Sequence, residues 1–395
     1  MLLTILVFLL ILSVIVLIHE LGHFFVAKKL GIKVEEFGFG FPPRVFGIKR
    51  GETVYSINWL PIGGFVKLYG EDEAGGGKLK VQSTKLKVTD EKRAFFARSI
   101  PQRAAVVVAG IVMNVLLAIV IFYLFLTASG FKTELPLLGN FRFFGVNQSE
   151  KTEIIISAVS KNSPAQNAGL APYSQIVSLN GEKITDASLL TRIINANKGK
   201  EIEVSWQDPK TKKISTASLT PRVFPPPKEG AIGIAFFGVK TAVLSYDTLP
   251  QKIASGVIHP ANLLVYNLSI MVKLIGISFE EKTLVPVSEG VSGPIGIYSL
   301  VATILKIPSM KESVLQILHL AGILSISLAF FNILPIPALD GGRLFFIGME
   351  VALGKKISRR IEGHAHAVGM VILLTLILLI TFKDITRIMR GGISP

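Results

Sequence analysis

The sequence predicts a polytopic α-helical membrane protein of four spans, with a membrane-associated β-hairpin region and one inserted extracytoplasmic α/β module. Three observations carry that reading. Half of the 395 residues are hydrophobic and the mean hydropathy is +0.55, too apolar for an ordinary soluble chain. The apolar residues gather in long runs, of which Leu2 to Ile18 has no charged residue. Residues 153–222 then change to short alternating stretches, the pattern of a water-soluble module.

Composition also bounds the chemistry. The chain has no Cys, so disulfides and thiolate metal sites are excluded and any metal must use His and carboxylates. The net charge is +15. Its basic residues sit beside apolar runs rather than on one soluble face, which fits membrane topology and not a nucleic-acid partner.

The elements follow in order. The first span covers about residues 2–26. A cleaved signal peptide would need a basic n-region; Met1-Leu2-Leu3 has none, and the run leads straight into His19-Glu20-Leu21-Gly22-His23, so a retained helix to about Leu30 is expected. Residues 27–103 carry 15 Lys or Arg against 8 Asp or Glu, which makes this loop cytoplasmic and the N-terminus external. Within it lies a β region over 37–69. Thr53 to Leu60 alternates, Pro61-Ile62-Gly63-Gly64 punctuates, and Phe65 to Tyr69 returns as a strand. The charged, Gly-rich stretch 71–91 reads as a linker.

A second span covers about 104–127, and the first half of the membrane core ends near residue 130. The soluble domain is expected over 150–225. Its strands are Glu153–Val159, Ile176–Asn180, Glu201–Gln207 and Ile214–Thr220, its helix is Asp186–Asn197 capped by Asp186, and Pro225-Pro226-Pro227 closes it. A connector over 226–313 contains an apolar stretch, 253–277, broken by His259, Pro260, Asn262, Asn267 and Lys273. The second half of the core, 314–395, holds spans at about 314–335 and 364–382.

Topology decides how to read 253–277. If Asp340 shares a metal with His19 and His23, the helix ending near Leu334 must run from outside to inside, which requires either that 253–277 does not span or that a second span follows it. Of the two, 253–277 is expected to lie on the membrane as an interfacial helix. The fourth span then returns outside, where Lys383, Arg387 and Arg390 run against the positive-inside rule.

His19-Glu20-x-x-His23 carries the chemistry. Residues i and i+4 share a helix face, so both imidazoles reach one ion. Zinc takes neutral imidazole and leaves a position for water, which it acidifies. Glu20 beside the first ligand can take that proton and pass it to the leaving amine. Chance placement gives this pattern in roughly 0.5% of chains of such composition, and three ionisable groups on an apolar helix default to function.

A third ligand is required. In Asn332-Ile333-Leu334-Pro335-Ile336-Pro337-Ala338-Leu339-Asp340-Gly341-Gly342 the prolines stop a span and Asp340 follows; the alternative is a plain Asp-Gly turn. Asn332 can hydrogen-bond a substrate carbonyl or oxyanion, or another helix. His364 and His366, which open the last span, are rival ligands, and His319 reads as structural.

HExxH closing the first span and NxxPxPxLDG closing a later one resemble the site-2 protease family of intramembrane zinc metalloproteases, of the bacterial regulator of sigma-E protease type. The resemblance implies zinc on His19, His23 and Asp340, with Glu20 as catalytic base. Gly38-Phe39-Gly40-Phe41-Pro42 and Pro61 to Lys67 are similar to the family's membrane-inserted β region, thought to pair with an extended substrate. Ala109-Gly110 and Asn114 resemble its AGPxxN motif with Ile111 in place of proline. Ser292 to Ile297 is a further family-like stretch.

Residues 153–222 resemble a PDZ domain through Ser163-Pro164-Ala165, Ala168-Gly169-Leu170 and Ile176 to Gly181, although Tyr173-Ser174 replaces the usual Gly-Asp. The resemblance implies an endopeptidase of the bacterial inner membrane. Its substrates would be the transmembrane segments of single-span proteins, such as anti-sigma factors or signal-peptide remnants. The PDZ-like domain would lie outside, as a peptide binder or a size filter, and the metal near the cytoplasmic side. The alternatives are a CAAX-type membrane metalloprotease and a non-catalytic membrane PDZ scaffold.

Overall fold

The computed structural model describes residues 1–71, 92–208, 211, 213–227, 229–283, 285–355 and 357–389. The expected linker, from residue 72 onward, and Arg390 lie outside them. The chain forms two compact units, Met1–Ala128 with Ala254–Pro395, and Ser129–Ile253.

The first unit opens with α1 (Leu2–Lys29), followed by β1 (Val34–Arg50), β2 (Thr53–Leu68) and α2 (Ile100–Ala128). The hairpin turn differs from the expected one. It falls at Gly51-Glu52 between the paired Arg50 and Thr53, because Gly51, at φ 63°, supplies the first central position of a two-residue loop. Pro61 to Gly64 is a bend inside β2. Both strands bend, β1 at Pro42-Pro43, so two strands make four arms. Residues 36–39 pair with 54–57 on one side and with 64–67 on the other. The arm from Gly64 to Leu68 therefore has one neighbour in the sheet, and its far edge runs along α1. There Ser13 donates to the Pro61 carbonyl at 3.1 Å.

The second unit holds β3 (Lys132–Leu137), β4 (Asn147–Val159), α3 (Pro164–Asn167), β5 (Gln175–Leu179), β6 (Glu182–Lys183), α4 (Ala187–Ala196), β7 (Ile202–Gln207), β8 (Ile214–Leu219) and β9 (Ile234–Ser245). The sheet runs β3-β9-β4-β5-β7-β8, with β6 on β5. Ile154, Ile156, Leu179, Leu190, Val204 and Trp206 fill its core. Asp186 caps α4 by accepting the Leu189 N–H at 2.8 Å. The unit is wider than the 150–225 read from sequence. Strand β9 lies beyond the proline run yet pairs along the whole of β4, and β3 pairs with β9; long-range pairing leaves no mark on local pattern.

The first unit resumes with α5 (Leu249–Glu280), α6 (Val285–Glu289), α7 (Pro294–Ile304), α8 (Met310–Ile333), α9 (Asp340–Leu353) and α10 (Arg359–Met389). Five described helices are long and apolar enough to cross a membrane: α1, α2, α5, α8 and α10. Sequence expects four, and the fifth is α5. The helix runs unbroken through its polar residues: Ser255, His259, Asn262 and Tyr266 lie on its buried face, while Asn267 and Lys273 are exposed. The stretch 292–297 also gains a physical account. The buried Asp384 carboxylate accepts the Gly293 and Gly296 N–H groups, each at 2.9 Å, and so ties α10 to the start of α7. Lys383 donates to the Ser288 and Val291 carbonyls, so its charge serves packing.

Candidate metal centre

His19 and His23 lie one turn apart near the end of α1, both buried, with their Nε2 atoms 3.1 Å apart. Asp340 is the first residue of α9. Its Oδ2 stands 3.1 Å from His19 Nε2 and 3.2 Å from His23 Nε2. Among the described residues these three form the one His/Asp/Glu group placed to hold an ion.

The triangle fits zinc. Zinc bonds of about 2.0–2.2 Å would place neighbouring donors roughly 3.3–3.6 Å apart, so three edges of 3.1–3.2 Å match that spacing, slightly tightened. Asp340 Oδ2 is buried without a hydrogen-bond donor, which is costly for a carboxylate unless a cation faces it.

The rings are held in the tautomer a metal needs. His23 Nδ1 lies 2.8 Å from the Val106 carbonyl. A carbonyl only accepts, so the proton sits on Nδ1 and Nε2 keeps its lone pair. His19 Nδ1 faces the side-chain amide of Asn114 at 3.2 Å through Nδ2, while Asn114 Oδ1 has no partner. Turned over, the same amide accepts from Nδ1–H and frees Nε2 for metal. Asn114 is fixed from behind, where its backbone carbonyl accepts from Ser325 of α8 at 2.8 Å. Gly110, one turn earlier on α2, leaves room for both rings; a Cβ there would lie 2.4 Å from His23 Nε2 and 2.7 Å from His19 Cε1.

Glu20 points to the sheet, and its Oε2 accepts the Val66 N–H from the outer edge of β2, which faces α1, at 3.0 Å. Asp340 owes its place to the non-helical stretch Leu334–Leu339. Ala338 takes a φ of 82° and its N–H donates to His366 Nδ1 at 2.9 Å. Gly341 lets α9 turn back tightly, since a Cβ there would overlap the Leu334 carbonyl oxygen at 1.9 Å.

The other sequence candidates are not members of the triangle. Asn332 is buried in the last turn of α8, and among the described residues its side chain makes no hydrogen bond. His366 supports the Ala338 turn, and His364 faces the Arg360 carbonyl at 2.6 Å. His319 packs against Phe125, with ring centroids 5.0 Å apart. Sequence reasoning missed the Val66 N–H, because a backbone donor has no residue signature. It noted Asn114 only as part of a motif.

Comparison with known proteins places this geometry. Residues 7–376 match Peptidase family M50. A Clostridium perfringens protein provisionally named a zinc metalloprotease is 32% identical over 375 residues, covering 94% of this chain and 96% of its own length. The Bacillus subtilis regulator of sigma-W protease RasP is 28% identical over 455 residues, covering 98% and 99%. Among solved structures, the PDZ domain of an SdrC-like protein from Listeria monocytogenes is 17% identical, covers 21% of this chain and 85% of its own, and has a TM-score of 0.19. With the family matched over nearly its whole length, the chain belongs to peptidase family M50, the site-2 protease family of zinc metalloproteases.

Proposed function

We propose that this protein is a zinc-dependent endopeptidase that cuts the transmembrane segments of single-span membrane proteins, with His19, His23 and Asp340 as ligands and Glu20 as base. The observation that carries the reading is the donor triangle of His19, His23 and Asp340 at 3.1–3.2 Å, two of whose members lie on a helix apolar enough to span a bilayer. A zinc ion held by His19, His23 and Asp340 would supply an acidified water and a Lewis acid for the scissile carbonyl. Glu20, next to His19, takes the proton and returns it to the leaving nitrogen. Asn332 offers its amide to the substrate carbonyl.

The edge arm Gly64–Leu68 supports the substrate class. A helical segment must unwind before its backbone is attacked, and unpaired backbone at membrane depth needs a partner. An extended substrate added to this edge would gain that partner and pass beside Glu20, which already touches Val66. Signal-peptide remnants and anti-sigma factors are single-span proteins of this kind. The Bacillus subtilis relative is named as a regulator of sigma-W.

The same architecture supports four spans, with the metal near the inner face and the PDZ-like unit outside. On α8, Gly322 faces Phe122 and Ser325 bonds Asn114, while Glu350 of α9 pairs with Arg103. So α8 runs antiparallel to α2 and parallel to α1. An even number of crossings must separate the end of α2 from the start of α8. Helix α7, eleven residues long, reaches about 16 Å of the roughly 30 Å needed. That leaves α5 alone, and so lying along the outer surface. The PDZ-like unit would bind peptide or exclude bulky substrates.

The test is a purified full-length pair, wild type and His23→Ala, assayed for bound zinc and for cleavage of a single-span reporter. Loss of both in the variant is expected; undiminished zinc and cleavage would overturn the reading.

A further inference from the structure

Helix α9 does not continue α8. Six non-helical residues, 334–339, separate them, so helix continuity does not set the position of Asp340; the bonds that pin α9 set it. One pin is Arg103–Glu350 to α2, at 2.6 Å. Another is the Ala338 N–H on His366, at 2.9 Å. The pin on α9 itself closest in sequence to Asp340 is Arg343, one turn along the helix, whose guanidinium pairs with Glu71.

Glu71 ends the stretch that began as the edge arm of β2. Its second carboxylate oxygen accepts the Leu68 N–H at 3.3 Å, and two residues before Leu68 the Val66 N–H holds Glu20 at 3.0 Å. Six residues, 66–71, thus touch both the base on α1 and the helix that carries Asp340, parts of the site more than 300 positions apart in sequence. Glu71 and Arg343 line a small cleft with about 80 Å³ of room together with Arg103, Glu350, Glu362 and His366. Charged walls and room for water keep the pair from being stranded without solvation.

We propose that the Glu71–Arg343 ion pair is a positioning strut for the metal centre: it fixes Asp340 against His19 and His23 by tying α9 to the strand arm that holds Glu20. The inference rests on the reading of Asp340 as the third ligand. Neither residue is a ligand or a catalytic group; each acts through its neighbour. Partners that orient metal ligands usually carry about 10- to 100-fold in affinity, and this strut belongs in that range.

The experiment uses full-length protein in detergent. Zinc affinity is measured by competition with a fluorescent chelator, and site geometry by the visible spectrum of the cobalt-substituted form. Glu71→Gln and Arg343→Gln should each weaken zinc by about 10- to 100-fold and lower the tetrahedral cobalt absorption, with helix content and melting temperature retained. Arg343→Lys, which keeps the charge, should stay within about 3-fold of wild type. The double variant should be no weaker than the worse single one, because both changes break one link. Wild-type zinc affinity in either folded single variant, or additive losses in the double, would overturn the strut. Asp340→Asn is the separate control. If it retains zinc, the ligand assignment fails; if it loses zinc while the strut variants do not, only the strut fails.

Discussion

Replacement of Gly110 by alanine tests the centre by the sign of its effect. In an exposed helix this change is stabilising, by about 0.5–1 kcal/mol, because alanine loses less backbone entropy. At this site the new Cβ would stand 2.4 Å from His23 Nε2, 2.6 Å from its Cε1 and 2.7 Å from His19 Cε1, where ordinary contact begins at 3.4 Å. The rings must retreat by about 1 Å, against a tolerance near 0.2 Å for a metal–ligand bond. Overpacking of this kind costs roughly 1–3 kcal/mol. Gly110→Ala should therefore lose bound zinc, lose proteolysis, and melt lower than wild type. Val108→Ala, on an exposed position of the same helix, should change none of these. Bound zinc is read by metal analysis after dialysis and stability by thermal unfolding. A Gly110→Ala protein that melts higher and holds stoichiometric zinc would refute the packing argument.

Further outcomes follow from other parts of the structure. Glu20→Gln should keep zinc and lose cleavage of a single-span reporter by at least ~100-fold; a fully active variant would remove Glu20 from the mechanism. His364→Ala should leave zinc content unchanged, whereas His366→Ala, which removes the acceptor of the Ala338 N–H, should weaken it; equal behaviour of the two would count against the turn's role. A cysteine at Glu182 should react with an impermeant reagent on intact cells and one at Lys92 should not; the reverse pattern would invert the topology. Glu52 is held down at about 2, from an ordinary 4.5, by hydrogen bonds from Arg93 and Lys28 that outweigh its partial burial. Its folded-state value is depressed, so its stabilisation is complete above about pH 4.5 and fades as pH falls toward 2. The gap in melting temperature between wild type and Glu52→Gln should be constant from pH 7 to about 4.5 and then close. A gap that widens in acid would contradict the ion-pair account.

Much of this was legible without coordinates. Apolar runs announce the helices because a bilayer core demands about twenty apolar residues from a spanning helix. His19, Glu20 and His23 are legible because helical periodicity alone puts i and i+4 on one face. The strands of the second unit and its Asp186 cap follow from equally local rules. The break in helix at Leu334–Leu339 is legible as two prolines, with Asp340 just beyond them, whereas the positive φ of Ala338 has no such signal. The hairpin turn was misplaced because Pro61 and Gly63 signal a bend and a turn equally well, while the shorter signal at Gly51 had no flanking proline.

What the sequence by itself determined is the set of segments and the pair of imidazoles, since both depend on spacing within one helix or strand. What only the tertiary structure decided is how distant segments meet: that Asp340 Oδ2 comes within 3.2 Å of both rings, that Gly110 and Asn114 of α2 shape and orient those rings, and that β9 belongs to the second unit's sheet. Each is a contact between residues tens to hundreds of positions apart. Such contacts are fixed by packing and by satisfying buried polar groups across the whole fold, and no local period encodes them.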